Sequence, residues 1–422
     1  MIMLTTLGFM HNREDVMYSG VWRVKMSLGT HLVLLTSLIF SSFSYAEKLV
    51  VSYAGFSFSG NYIDKDVGIR FTENILEKSS GSPNVISKSL LDEIQKSSPK
   101  HFDLSFDYAD LDEGNAKAIV MAVTLDNEYY FREFEPLTNT YINNVQMFFQ
   151  IMFYNFNTKR LIASIPYDVT MPFLTKEEIS EQQITDEIEK FYTVGLKSAD
   201  DGAVINAFTQ VRKILNDYQL KDKYKFRIGV RSITVEDKAK AHIPEIFLKN
   251  PSAFENILAQ SFAGRLAAHN DVALVPYTEG MAIGGAMKQQ FVNSDTIYDI
   301  ALPQPEYVID LTLRGYKKKL AKTSAVENLF WWASFINVRI SQPDLNKVYL
   351  DEKLKNLLKK KIPAQITEID DWYKFYMSTI QLFDRFGQNV SNPNGAWTKK
   401  ASKNKELFSN LKGLDPLLRK LR

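Results

Sequence analysis

The chain has 422 residues, 45% of them hydrophobic and 24% charged, with 51 Lys and Arg set against 49 Asp and Glu for a net charge of +2. Such a balance excludes a disordered polyelectrolyte, and it excludes recruitment of nucleic acid by the charge of the whole molecule. Cysteine is absent, which removes disulfides, thiolate metal sites, a cysteine nucleophile and an acylated cysteine together.

The first element in chain order is a leader. The apolar run Leu32 to Phe40 spans nine residues, about half of the roughly 20 that an α-helix needs to cross a hydrocarbon core. Arg23, Lys25 and His31 precede it, and Ser44-Tyr45-Ala46 puts small residues at both positions a signal peptidase reads. Residues 1–46 are therefore expected to be a signal peptide, with Met26 available as an alternative start, and cleavage is expected before Glu47. The protein is expected in the periplasm, where it can sit at the periphery of the outer membrane, with no transmembrane helix left after cleavage.

Beyond the leader, a strand is predicted over Leu49 to Phe56, a helix through Val67 to Leu76, a short helix around Leu90 to Ile94 and a strand from Phe102 to Phe106. The acidic loop carrying Asp107, Asp110, Asp112 and Glu113 lacks the glycine and closing glutamate of an EF-hand, so it reads as a solvated turn. Strands follow at Ala118 to Phe134, Val145 to Tyr154 and Leu161 to Tyr167, then helices at Glu177 to Leu196 and Ala203 to Tyr218. The polar stretch Gln219 to Lys223 reads as a linker.

The second half opens with a strand at Lys225 to Val235 and a helix from Ser252 to His269, with Ser252 as its N-cap and Asn270 as its left-handed C-cap. A strand at Val272 to Pro276 leads to the glycine-rich Gly280 to Gly285. Next come strands at Thr296 to Ala301, Tyr307 to Leu320, Leu329 to Ile340 and Val348 to Leu350, a helical stretch ending at Lys359-Lys360-Lys361, and a helix from Ile366 to Phe386.

Both halves run strand, helix, strand, antiparallel meander, helix, and the closing helices carry Lys190-Phe191-Tyr192 and Lys374-Phe375-Tyr376. The predicted fold class is α+β, with two tandem and duplicated domains, each a mostly antiparallel mixed sheet packed by helices. Their bounds are 47–219 and 220–390, and a basic amphipathic tail occupies 391–422.

The segments Phe226 to Val235, Phe254 to Pro276 and Ile142 to Tyr167 together resemble the small α/β domain shared by the N-terminal domain of the Tol translocation protein, the curli-export pore family and flagellar envelope-assembly proteins. The resemblance implies an envelope protein that works by binding other proteins.

Catalytic groups are sparse. His101, His242 and His269 are the histidines beyond the leader, and none stands in a metal-ligating spacing. His269 with Asp271 has no Gly-x-Ser-x-Gly nucleophile to serve, and Gly280 to Gly285 lacks a phosphate-loop pattern. No residue is read as catalytic, cofactor-binding or metal-ligating, and no cofactor is expected. The expected function is a non-catalytic interaction or assembly module of the bacterial envelope, with a protein partner that can belong to a membrane-bound complex and with no nucleic-acid partner. A periplasmic hydrolase using paired carboxylates and a periplasmic solute-binding protein stand as alternatives. The candidate interaction residues lie on the tail: Lys399, Lys400, Lys403 and Lys405 with Leu407, Phe408, Leu411, Leu417 and Leu418. Pro416 is expected to split that tail into two short helices, dispensable for folding and needed for association.

Overall fold

Val, Tyr and Phe crowd Leu49–Ser59 into strand β1, and its Val51, Tyr53, Phe56 and Phe58 are buried. The computed structural model describes residues 48–59, 68–78, 84–107, 118–135, 138–197, 202–221, 223–277, 285–292, 297–366 and 369–422. The predicted signal segment, most of the acidic loop and residues 280–284 lie outside the described residues. Helices α1 (Arg70–Lys78) and α2 (Val85–Gln95) lead to β2 (Phe102–Ser105), and three long strands follow: β3 (Ile119–Glu135), β4 (Thr140–Asn155) and β5 (Arg160–Thr175). Asn84 caps α2 by accepting from Ile86 and Ser87 N–H. Helix α3 (Glu181–Thr193) opens on a capping box in which Ser180 and Gln183 satisfy one another's backbone N–H. A two-stranded ribbon, β6 (Leu196–Lys197) with β7 (Val204–Ile205), takes the end of the first and the start of the second of the two predicted helices, and α4 (Thr209–Asp217) follows.

The rest of the chain contains β8 (Ile228–Val235), α5 (Asp237–Lys240), α6 (Glu245–Lys249), α7 (Pro251–Asn270), β9 (Leu274–Val275), β10 (Ala286–Phe291), β11 (Ile297–Ala301), β12 (Tyr307–Thr323), β13 (Glu327–Gln342) and β14 (Lys347–Pro363). The closing helices are α8 (Asp371–Ser391), α9 (Gly395–Ala401), α10 (Leu407–Lys412) and α11 (Asp415–Leu421). Both caps of α7 shift by one or two residues from the sequence reading. Asn250 accepts from Ala253 N–H with Pro251 in the first turn, and Asp271 takes the left-handed turn at φ 50°.

The fold class is α+β, as the sequence implied. One sheet has the order β10-β11-β5-β4-β3-β1-β2 and the other β14-β13-β12-β8-β9. Within them, β2-β1-β3-β4-β5 and β9-β8-β12-β13-β14 share one connectivity: two parallel pairings followed by two antiparallel ones. Three of the irregularities coincide, while a fourth, at Ala321 of β12, has no counterpart in β3. An extra residue bulges from β1 at Ala54 and from β8 at Arg231, from β3 at Asp126 and from β12 at Arg314, and from β5 at Ile162 and from β14 at Tyr349. The two meander turns close on left-handed residues at the same place, Lys159 and Asn346. The boundary expected at 219–220 separates the strands of the two sheets except for β10 and β11, which join the first sheet beside β1 and β5.

Residues Lys48–Arg422 form one compact unit. Helices α1 to α4 cover one face of the first sheet around Phe71, Phe149, Tyr192 and Phe208. The other face packs against α7, which is buried nearly all round because it lies between the first sheet and the core of the second. Arg265 of α7 pairs with Asp168 of β5, and the Tyr376 hydroxyl of α8 donates to Gln146 of β4 at 2.5 Å. Helices α7 and α8 approach so closely that a Cβ on Gly387 would stand 2.7 Å from the Arg265 carbonyl oxygen.

Candidate functional site

The tail residues singled out above divide in two. Lys399, Lys400, Lys403 and Lys405 are exposed, and Phe408 is half-buried with the Lys412 ammonium 4.6 Å above its ring. Leu407, Leu411, Leu417 and Leu418 are instead inside the second core, together with Leu414 and Leu421. The expectation of a detachable docking tail is corrected accordingly. The chain does break near Pro416, but α10 and α11 fold back on their own protein, and Asn404 and Asn410 both donate to the buried Glu352 carboxylate of β14, at 2.6 and 2.8 Å. Their apolar side is occupied.

A second basic region lies on β12, β13 and β14. Successive strand residues point to opposite faces, so Trp332, Ile336, Val338, Leu350 and Leu354 enter the core while their neighbours face outward. The ladder then places outward side chains in rows across three strands. Lys319, Trp331 and Lys359 form one row, Lys317, Ala333 and Leu357 the next, then Gly315, Phe335 and Lys355, then Thr312, Asn337 and Lys353. The Lys319 and Lys359 ammoniums lie 5.8 and 4.9 Å from the Trp331 ring, close enough for cation–π attraction from both sides. The Trp331 indole N–H has no hydrogen-bond partner among the described residues. Leu357 is 37% exposed.

Charge on this face is graded along the strands. At one end Arg231 pairs with Asp310 at 2.5 Å and Arg339 with Asp351 at 3.4 Å, and at the other Lys361 meets Glu327 at 2.6 Å. Between them, Lys317, Lys319, Lys353, Lys355 and Lys359 have no carboxylate within ion-pair distance among the described residues. The result is a cationic, aromatic middle bordered by neutralised rows. Lys318 and Lys360, the middle residues of the two lysine runs, point to the other face: Lys318 pairs with Asp371 at 2.7 Å, and Lys360 stands 3.3 Å from both Glu133 and Glu135.

The stretch ending at Lys361, expected to be helical, is all strand. Leu354, Leu357 and Leu358 do fall at helical spacing, but Asn356 and Lys360 can face inward because each finds a partner: Asn356 donates to the Ser378 carbonyl at 3.0 Å, and Lys360 meets the glutamates of β3. Trp331, Phe335, Lys353 and Lys355 were not singled out from the sequence, although the strict alternation of Lys353, Leu354 and Lys355 was a signal for them.

Two carboxylates are strongly perturbed, and both are buried. Burial pushes Asp126, the bulged residue of β3, up to about 7 against hydrogen bonds from Gln150 and Gln260. Glu128 is pushed up to about 7 for the same reason, opposed by Thr72 and by the Phe71 and Thr72 N–H groups at the start of α1. His269 lies 2.8 Å from Asp384. Among the described residues, no three His, Asp or Glu side chains gather as metal ligands, and no helix is long and apolar enough to cross a membrane. No protein-family model matches the chain, and no curated protein matches it either.

Proposed function

We propose that this protein is a non-catalytic binding module of the bacterial envelope, exported by its leader, that engages an acidic protein partner through the outer face of β12, β13 and β14. The observation that carries the reading is the set of lysines around Trp331 and Phe335 without carboxylate partners among the described residues. Desolvating such a set is favourable only where a partner supplies anions. A protein partner is favoured over a bilayer or a nucleic acid because the lysines share their face with Trp331, Phe335 and the exposed Leu357, an apolar and cationic mixture that an acidic protein surface can match. In this reading the shared connectivity of the two sheets reflects a duplicated unit, in keeping with the resemblance to envelope-assembly domains.

The test uses the full chain and fluorescein-labelled poly-glutamate as probe, followed by anisotropy. The triple variant Lys319→Glu, Lys355→Glu, Lys359→Glu should weaken binding by about tenfold or more and flatten its salt dependence. A variant with Lys399, Lys400, Lys403 and Lys405 all changed to Glu should bind much as the parent does. Equal losses in the two variants would overturn the assignment of the face, and tighter binding to anionic lipid vesicles or single-stranded DNA than to poly-glutamate would overturn the assignment of the partner.

A further inference from the structure

A cleft of about 480 Å³ lies beside β5, lined also by residues of α4 and the end of α7, within the range of small-molecule sites. Its floor is apolar and buried: Ile165 and Tyr167 from β5, Ala267 from the last turn of α7, Val272, and Leu421 from α11. The free edge of β5 is guarded here, since Pro166, a cleft residue, has no N–H with which to recruit another strand. An added strand is therefore not the occupant this edge suits.

The rim is charged, and its charges are unequal. Asp217 is held by Lys100 at 2.5 Å. Lys213, one turn earlier on α4, has no carboxylate partner among the described residues. The Arg422 guanidinium is fixed at the rim by donating to the Asn270 carbonyl at 2.9 Å and to the Ser391 hydroxyl at 3.4 Å. Asp271 is the opposing acid on the rim. An apolar floor beneath Lys213 and the fixed Arg422 guanidinium selects an amphiphile: an apolar or aromatic body of drug size carrying one carboxylate or sulfonate.

We infer that this cleft is a binding site for a small amphiphilic anion, with Lys213 and Arg422 at the anionic group and Ile165, Tyr167, Ala267 and Val272 around the apolar body. The site is separate from the lysine face and does not depend on it.

The experiment is fluorescence titration of the full chain with the aromatic sulfonate 1-anilinonaphthalene-8-sulfonate and with its uncharged analogue N-phenyl-1-naphthylamine. Ala268, exposed at the mouth of the cleft, is replaced in Ala268→Trp to obstruct entry, and Lys213→Glu reverses one rim charge. Saturable one-to-one binding of the sulfonate is expected, weakened about tenfold or more by Ala268→Trp. Lys213→Glu should weaken the sulfonate severalfold and leave the uncharged probe unchanged. Melting temperatures of both variants should stay at the parent value, which separates loss of the site from loss of the fold. Absence of saturable binding below about 1 mM, or binding indifferent to Ala268→Trp in a variant that keeps its melting temperature, would overturn the site. Equal losses for both probes in Lys213→Glu would overturn the role of the rim charge.

Discussion

The ion pair between Glu133 and Lys374 should show a marked asymmetry when its partners are removed one at a time. Lys374 of α8 is 3% exposed and Glu133 of β3 is 8% exposed, so the pair joins the first sheet to the second core out of reach of water. Glu133 has a second cation, Lys360, at 3.3 Å, whereas Lys374 has no other carboxylate within ion-pair distance among the described residues. Glu133→Gln therefore leaves a buried ammonium facing a neutral amide and the Lys360 ammonium, with the Tyr373 ring 4.6 Å away, and should cost about 3–5 kcal/mol. Lys374→Met leaves Glu133 neutralised by Lys360 and fills a similar volume, so about 1–2 kcal/mol is expected. The loss in Glu133→Gln should also shrink as pH rises. Burial already holds Lys374 below the ordinary lysine value, so without its partner the folded state sheds that proton before the unfolded chain does, and stability rises with pH wherever the unfolded chain holds more protons. Urea unfolding followed by tryptophan fluorescence, with the double variant closing the cycle, measures all three terms. If Lys374→Met destabilises as much as Glu133→Gln, the asymmetry argument is wrong.

Other outcomes follow from the same packing. A chain ending at Val390 should fail to fold stably, since it strips six leucines from the second core and leaves Glu352 without its asparagine donors; Leu411→Ala alone should cost about 2–5 kcal/mol in urea, and a truncated chain that melts with the parent would refute the buried-tail reading. Asp126 and Glu128 hold their protons more tightly folded than unfolded, so their contribution is complete below about pH 4 and is lost as pH rises through about 7. Asp126→Asn with Glu128→Gln should accordingly flatten the fall of melting temperature between pH 5 and 8, and an unchanged slope would count against that burial.

The periodicities in the sequence carried most of the fold, and the places where they misled are physical. The runs in β4, where Val145 to Tyr154 are buried on both faces, read plainly as strand because β-branched and aromatic residues leave little else. The part of β14 beyond Leu350 read as helix because three leucines coincide with a helical stripe, and only the glutamates of β3, distant in sequence, make an inward Lys360 tolerable. Strand β10, with Lys288, Gln289 and Gln290 in its middle, carries almost no apolar signal; Gln289 is buried there by donating to Ser57 and Thr124 of the first sheet, a contact no local pattern announces. The tail was legible as two short helices and illegible as core, because an amphipathic stripe shows that a surface is needed and not whose surface it is. The lysine runs were visible, but which lysines are free depends on strand register, and register is fixed by the Arg314 and Tyr349 bulges that a sequence does not display.

The shared connectivity gives the open face its significance. In the first sheet both faces are covered, one by α1 to α4 and the other by α7, and Val145, Met147, Phe149 and Ile151 alternate with Gln146, Phe148, Gln150 and Met152 without an exposed position. In the second sheet β14 alternates between buried and more exposed residues from Leu350 to Leu357, and its outward side carries Asp351, Lys353, Lys355 and Leu357 beside the partly exposed Trp331 and Phe335 of β13. A face that only needed to be soluble would be served by interspersed charges of both signs. Here the carboxylates stand at the two ends, and Trp331, a costly residue to leave half-exposed, is kept in the middle between two ammoniums. Of two sheets with one connectivity, the first is covered on both faces and the second leaves one face, with its lysines, uncovered.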